Sequence, residues 1–373
     1  MKITFVLPGA SLAGGVRVVA IYARKLIERG HEVTVLSRGW DRPSLARRIH
    51  DLLRHRRWPG RGPGSSVLLD FLGDRHIVIH GAYPLDPARV PDADAIIATW
   101  WETAFAVSAL PRSKGRPFYF IQHHEVHRHL PWHLSRGSYF LPMRKITIAR
   151  WLVETMATLY GDTEVDLVEN SVDTTQFHAP ERGRNAVPTV GFLYSPDFIK
   201  GVDVSLKAIE IARSRVPGLR VVAFGAHEVD PAVPLPEGTE FHHRPDQEAI
   251  RNIYAACDVW LCGSRTEGFH LPPLEAMACR CPVVSTRIGG AVETVTDGVN
   301  GYLADQEDSA TLGERLADVL RLSADDWKAM SDAAHDRARR YSWDDAADRF
   351  ERFLIAGVAA SADGPTGQPD RTA

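Results

Sequence analysis

The chain has 373 residues, 44% of them hydrophobic and 24% charged, with a formal net charge of -3. That composition is globular, the length suggests two domains, and the near-neutral charge offers no global field for nucleic acid. No run of about 18 apolar residues occurs, so no transmembrane helix is expected; the apolar run in "MKITFVLPGASLAGG" is too short for a signal peptide, and a cytoplasmic protein is the expectation.

In chain order, "KITFVLP" reads as a buried strand, "GASLAGG" as a glycine loop, and "VRVVAIYARKLIERG" as a helix stopped by Gly30. "HEVTVLS" is a second strand, so the chain opens as a parallel βαβ unit. Gly14 and Gly15 would let backbone approach a phosphate or an acceptor, although a tight strand-to-helix turn explains them equally well. Arg17 falls in the first helical turn.

Residues 44–58 set Leu45, Ile49, Leu52 and Leu53 on one helical face, with arginines crowding the rest. Such a helix suits an anionic membrane surface or a plain solvated face. "HIVIHG", "DAIIATW", "PFYFIQ", "KITIA" and "VDLVEN" read as further strands. Asp92–Ala95, "DADA", precedes a strand and reads as a turn rather than a metal motif. Trp100 and Trp101 follow a strand and suit an acceptor sugar or the core. "FYFIQHHEVHRHL" places His123, His124, Glu125, His127 and His129 after another strand. A zinc site from His123, Glu125 and His127 is one reading, but HExxH spacing is missing.

"SVDTTQFHAPERGRNAVP" is polar and rich in turn formers, and reads as a linker. A second series follows: "TVGFLY", "LRVVAFG", "DVWLCG" and "PVVST" as strands, with helices between them. Cys257, Cys262, Cys279 and Cys281 lack zinc-site spacing and read as reduced core thiols. The expected division is an N-terminal domain over 1–168, a linker over 169–187 and a second domain over 188–340. A C-terminal helix over 341–356 returns to the first domain, and 357–373 is a disordered tail. The fold class is α/β: two Rossmann-like, doubly wound parallel sheets facing across a cleft, with ligands beyond the carboxyl ends of the strands.

One such loop is "SRTEGFHLPPLEAMACRCPVV", Ser264 to Val284. Pro272 and Pro273 suit the first turn of a helix, where a missing N–H is no loss. The amides of Gly268, Phe269, His270 and Leu271 then sit at the positive end of the helix dipole, a site for a phosphate. Glu267 lies on the loop, and Glu275 is placed in the first helical turn. Carboxylates beside a phosphate suit the flanking hydroxyls of a ribose and a hexose, while compensation of the dipole is the competing reading for Glu275.

"EGFHLPPLEAMACRCPVV" resembles the signature of the family-4 retaining glycosyltransferases of GT-B fold. "LPGASLAGGVRVVAIYARKLIERGHEVTVLS", "VENSVDTTQF" and "GGAVETVTDGVNGYL" are similar to the family's other stretches, in the family's order. The resemblance implies transfer of a sugar from a nucleoside diphosphate sugar to a hydroxyl acceptor (a glycan, a lipid-linked saccharide or a small molecule), retaining anomeric configuration. It implies no metal, and no cofactor beyond that co-substrate.

By resemblance, Glu275 accepts from the ribose hydroxyls and Glu267 holds a donor-sugar hydroxyl. The Gly268–Leu271 amides bind diphosphate, and Lys200 in "KGVD" neutralises it as it leaves. His123, or alternatively His124, orients the sugar; His127 and His129 are structural. Three positions depart from the pattern. "GFLYSPDFIKG" lacks the family's arginine, for which Arg17 is the candidate substitute; His270 and Arg280 stand where glycine is common. Two other readings are an epimerase of the same fold, which needs no acceptor, and a non-catalytic nucleotide-sugar binder.

Overall fold

A computed structural model describes residues 1–11, 14–39, 66–81, 83–127 and 130–362. The basic stretch 44–58 and His129 lie outside the described residues. The chain divides into two compact units. Unit one is Met1–Thr147, Val153–Val168 and the chain from Ala347; unit two is Ile148–Leu152 and Glu169–Ala346.

Unit one is built on β1 (Lys2–Leu7), β2 (Glu32–Arg38), β3 (His76–Ile79), β4 (Ala95–Ala98), β5 (Arg116–Ile121), β6 (Arg144–Thr147) and β7 (Asp166–Leu167). The sheet order is β3-β2-β1-β4-β5-β6-β7 and every pairing is parallel. Strands covered on both faces need continuous apolar runs, and β4, "AIIA", is buried throughout. The helix Gly14–Glu28 turns Val16, Val19, Tyr22, Ala23 and Leu26 inward.

The helix Trp343–Ala362 closes this core from the other end of the chain. Phe350 stacks on Tyr22 with ring centroids 4.4 Å apart, and Phe353 meets Phe118 edge-on at 5.3 Å. This corrects the expected end of the helix and start of the tail. The helix runs through Gly357 instead of stopping before it, to Ala362. A Cβ at Gly357 would lie 2.4 Å from the Phe118 ring, so this glycine permits close packing and does not break the helix.

Unit two carries β8 (Thr189–Leu193), β9 (Arg220–Gly225), β10 (Glu240–His243), β11 (Val259–Cys262), β12 (Val283–Thr286) and β13 (Gly301–Ala304), again all parallel. The order is β10-β9-β8-β11-β12-β13. Both edges, β10 and β13, go unannounced in the sequence reading. All four cysteines are buried and unpaired.

Candidate active site in unit two

The strand order of unit two reverses between β8 and β11, so the loops that follow these two strands emerge side by side. After β8, the Asp197 side chain accepts from Ile199 N and starts a single turn, Phe198–Lys200. Gly201, at φ +54°, redirects the chain into the helix Val202–Arg215. A Cβ on Gly201 would lie 1.9 Å from the Gly263 carbonyl oxygen, so backbone packed on backbone sets the spacing of the two loops. Arg265 staples them further. Its amide donates to Ile199 O at 2.8 Å, and its guanidinium donates to Phe198 O at 2.8 Å and to both Asp203 oxygens at 2.9 and 2.7 Å.

Gly201→Ala forces both the left-handed backbone and the overlap on a side chain, and is expected to cost about 2 kcal/mol or more of stability. Urea unfolding checks this; an unchanged midpoint would contradict the backbone contact.

This scaffold brings Lys200 Nζ to 2.8 and 3.0 Å from the two Glu267 oxygens, while Ser264 Oγ donates to Glu267 Oε1 at 3.0 Å. Burial pushes the Glu267 carboxyl up, but the charges of His270, when protonated, and Lys200 and the bonds from Lys200 and Ser264 outweigh it and hold it below the usual range. Glu267 is therefore an ionised, acceptor-only group at neutral pH.

His270 is the N-cap of the helix Leu271–Ala278, with φ and ψ both 71°. That left-handed conformation is the physical reason glycine suits this position. The His270 side chain is 4% exposed, with Nε2 3.8 Å from Glu267 Oε1 and Nδ1 unpartnered among the described residues. Burial pushes its pKa down to about 4, so the ring is neutral at pH 7. The amides of Gly268, Phe269 and His270 bond to no other backbone carbonyl among the described residues. Phe269 itself is buried, and Leu271 is the first helical residue.

Glu275 is the fifth residue of that helix, in its second turn and not its first, so compensation of the dipole loses its basis. Its carboxylate is buried and accepts from Tyr254 Oη at 2.9 Å. Arg280 also has a positive φ, 60°, and is structural: Nη1 donates to Asp332 at 2.5 Å and its carbonyl accepts from Ser331 Oγ at 2.8 Å. The sequence reading singled out neither Tyr254, Ser264 and Trp151 nor the glycine pair Gly289–Gly290. A Cβ on Gly290 would lie 2.1 Å from Phe269 O, so this pair packs directly on the loop. The quoted "GGAVE" was the one signal for it.

The remaining site residues belong to unit one. Gly14 opens its helix with nothing within 4 Å of a Cβ, a Cβ on Gly15 would lie 3.4 Å from the Gln122 side-chain amide, and Arg17 stands in the first turn. His123 Nδ1 is 3.0 Å from His124 O, whereas His124 Nε2 bonds Tyr160 Oη at 2.7 Å and its ring stacks on Tyr139. Glu125, 1% exposed, accepts from Trp101 N at 2.8 Å and so caps the helix Trp101–Ser108. Asp92 pairs with Lys114 at 2.7 Å and Asp94 accepts from Lys2 N at 2.7 Å.

Residues 12–176 match the family model Glycosyltransferase Family 4, and residues 176–337 match Glycosyl transferases group 1. O-antigen biosynthesis protein RfbC of Myxococcus xanthus is 32% identical over 280 residues, 73% of this chain and 21% of that protein. A D-inositol 3-phosphate glycosyltransferase of Corynebacterium urealyticum is 37% identical over 123 residues, 33% of this chain and 28% of that protein. The chain thus spans between a fifth and under a third of the length of these two relatives.

Among solved structures, Alr3699/HepE of Anabaena in complex with UDP and glucose superposes with TM-score 0.72 at 16% identity, over 95% of this chain and 100% of that one. Sucrose-phosphate synthase of Thermosynechococcus elongatus gives TM-score 0.72 at 16% identity, over 96% of this chain and 100% of that one. Two parallel-sheet α/β units with these likenesses define a GT-B fold. The chain belongs to the family-4, group 1 glycosyltransferases.

Proposed function

We propose that this chain moves a sugar from a nucleoside diphosphate sugar to a hydroxyl acceptor, with retention at the anomeric carbon and without a metal ion. One observation carries the reading: an ionised, largely buried carboxylate, Glu267, clamped by Lys200 at 2.8 Å beside the amides at the N-terminal end of a helix. That combination offers positive charge for a diphosphate and an acceptor for a sugar hydroxyl within a few ångströms.

In the reaction the bond from the anomeric carbon to the diphosphate oxygen breaks while the acceptor oxygen bonds that carbon from the same face and its proton passes to the departing diphosphate oxygen, and negative charge grows on the leaving group as the bond breaks. The Gly268–Leu271 amides receive it, aided by the N–H of the Lys200 ammonium that does not serve Glu267. Glu267 does not attack; held at both ends, it accepts from a donor-sugar hydroxyl and fixes the ring. Glu275, oriented by Tyr254, accepts from the ribose. His123 orients the sugar, Arg17 supplies the second cation, and Gly14 and Gly15 give the substrate room. The relatives' names point to a glycan or a phosphorylated cyclitol as acceptor. Residues 44–58 would hold the enzyme at the inner face of an anionic membrane.

The test is a thermal-shift panel of UDP, GDP, ADP and dTDP, with UDP first because Alr3699/HepE holds it. A diphosphate at a hundred times its Kd is expected to raise the melting point by about 5 °C. No shift with any of the four removes the donor-site reading.

A further inference from the structure

The Gly268 carbonyl, at the start of the proposed diphosphate-binding run Gly268–Leu271, is held from behind. Trp151 Nε1 donates to it at 2.7 Å and Gly290 N at 3.3 Å, all three residues belonging to unit two. Trp151 is itself anchored, its backbone N donating to Glu293 Oε1 at 3.1 Å. Gly289 and Gly290 carry no side chain where one would meet Glu267 O at 2.3 Å and Phe269 O at 2.1 Å, so the loop backbone rests on them directly.

In a trans peptide the carbonyl and the following N–H point in opposite directions. Fixing the Gly268 carbonyl therefore fixes the Phe269 N–H, aimed away from Trp151. Both anchors are donors with no acceptor capacity: an indole N–H and a backbone N–H. Were the Gly268–Phe269 peptide to flip, its N–H would meet two N–H groups, so the flipped form is refused. A donated bond to the carbonyl also polarises the peptide, which makes the opposite N–H a stronger donor.

We propose that Trp151 is a positioning residue: through the Gly268 carbonyl, its indole N–H aims the Phe269 amide at the diphosphate of the donor. This rests on the donor-site reading above, and it assigns a role to a side chain 117 positions away in sequence that need not touch the substrate.

Trp151→Phe keeps an aromatic ring and removes the N–H. Calorimetric titration with UDP, and with uridine as the probe lacking phosphate, separates aiming from general loosening. The variant is expected to bind UDP about tenfold more weakly, with uridine affinity unchanged. Equal UDP affinity in parent and variant overturns the proposal, and so does an equal loss for UDP and uridine. If the variant does not fold, parent protein labelled with 15N-phenylalanine gives the answer. The Phe269 amide resonance should move on adding UDP and stay on adding uridine; a Phe269 amide indifferent to UDP overturns the proposal. A parent that binds no UDP in either experiment overturns this proposal for uridine nucleotides, and the four-nucleotide panel then decides separately whether the donor site stands.

Discussion

Lys200→Ala is expected to lower kcat by about 10²–10³-fold, the range found when one preorganised donor to a developing negative charge is removed. The loss has two sources that different measurements separate. The first is the leaving diphosphate, which loses its nearest cation at the moment its charge appears. The second is Glu267, which loses one of the groups holding it ionised, and the one charged at neutral pH. With Lys200 gone, burial is opposed only by the bond from Ser264 and by His270 when that ring is protonated, and the carboxyl moves up towards protonation. A protonated Glu267 presents a donor where the sugar hydroxyl needs an acceptor. The variant's activity should therefore recover partly at higher pH, whereas loss of the leaving-group cation alone gives no such recovery. Lys200→Arg keeps the charge but not the compact geometry of an ammonium on two carboxylate oxygens, and falls between parent and alanine. Steady-state rates with the nucleotide sugar chosen by the thermal-shift panel decide the matter. A kcat for Lys200→Ala within a few-fold of the parent would remove Lys200 from the chemistry.

Much of this site could be read from the chain because strand-loop-helix punctuation is local. "DVWLCG" is an apolar run ended by glycine, and Pro272–Pro273 mark a helix start, so the intervening loop had to follow a strand. Lys200 was placed the same way. Their ion pair was not readable, because it depends on Gly201 meeting Gly263 across separate loops. The edge strands escaped for a different reason. "EFHH" of β10 has no buried residue and "GYLA" of β13 begins with a glycine at φ +157°, so neither shows the apolar run of an interior strand. Gly357 falls in the expected tail because its sequence neighbourhood is rich in small and polar residues, while its partner, Phe118, lies in another element. Trp151 gave no signal at all: "ARW" at the start of a helix says nothing about a carbonyl in unit two. His270 was noticed as a departure from glycine, but that the departure puts a histidine in the left-handed region and under burial belongs to the three-dimensional structure.

That departure sets a pH dependence of stability. His270 has a folded pKa of about 4 against 6.5 for the unperturbed ring, burial being the largest cause, with Lys200 adding to it and Glu267 opposing. The unfolded chain therefore binds the extra proton between these two values and the folded protein does not. Stability from this group is intact above pH 6.5 and is lost as pH falls towards 4, by about 3 kcal/mol in all. Glu267 works in a separate window: its depressed carboxyl contributes above its unfolded value of about 4.3 and gives way only as pH falls further. His270→Gly suits the φ of +71° and has no ring to protonate. Urea unfolding at pH 7.5 and 4.5 is expected to show a drop smaller in the variant than in the parent by about 2.5 kcal/mol. Using the difference between the two proteins cancels other histidines held down by burial, such as His124 and His335. Equal drops would mean that the ring is hydrated when folded. If the drop does shrink, the neutral ring has a further consequence. A charged His270 would stand 3.8 Å from Glu267 and compete with Lys200 for it, so a dry, neutral histidine keeps the single ammonium committed to one carboxylate and one leaving group.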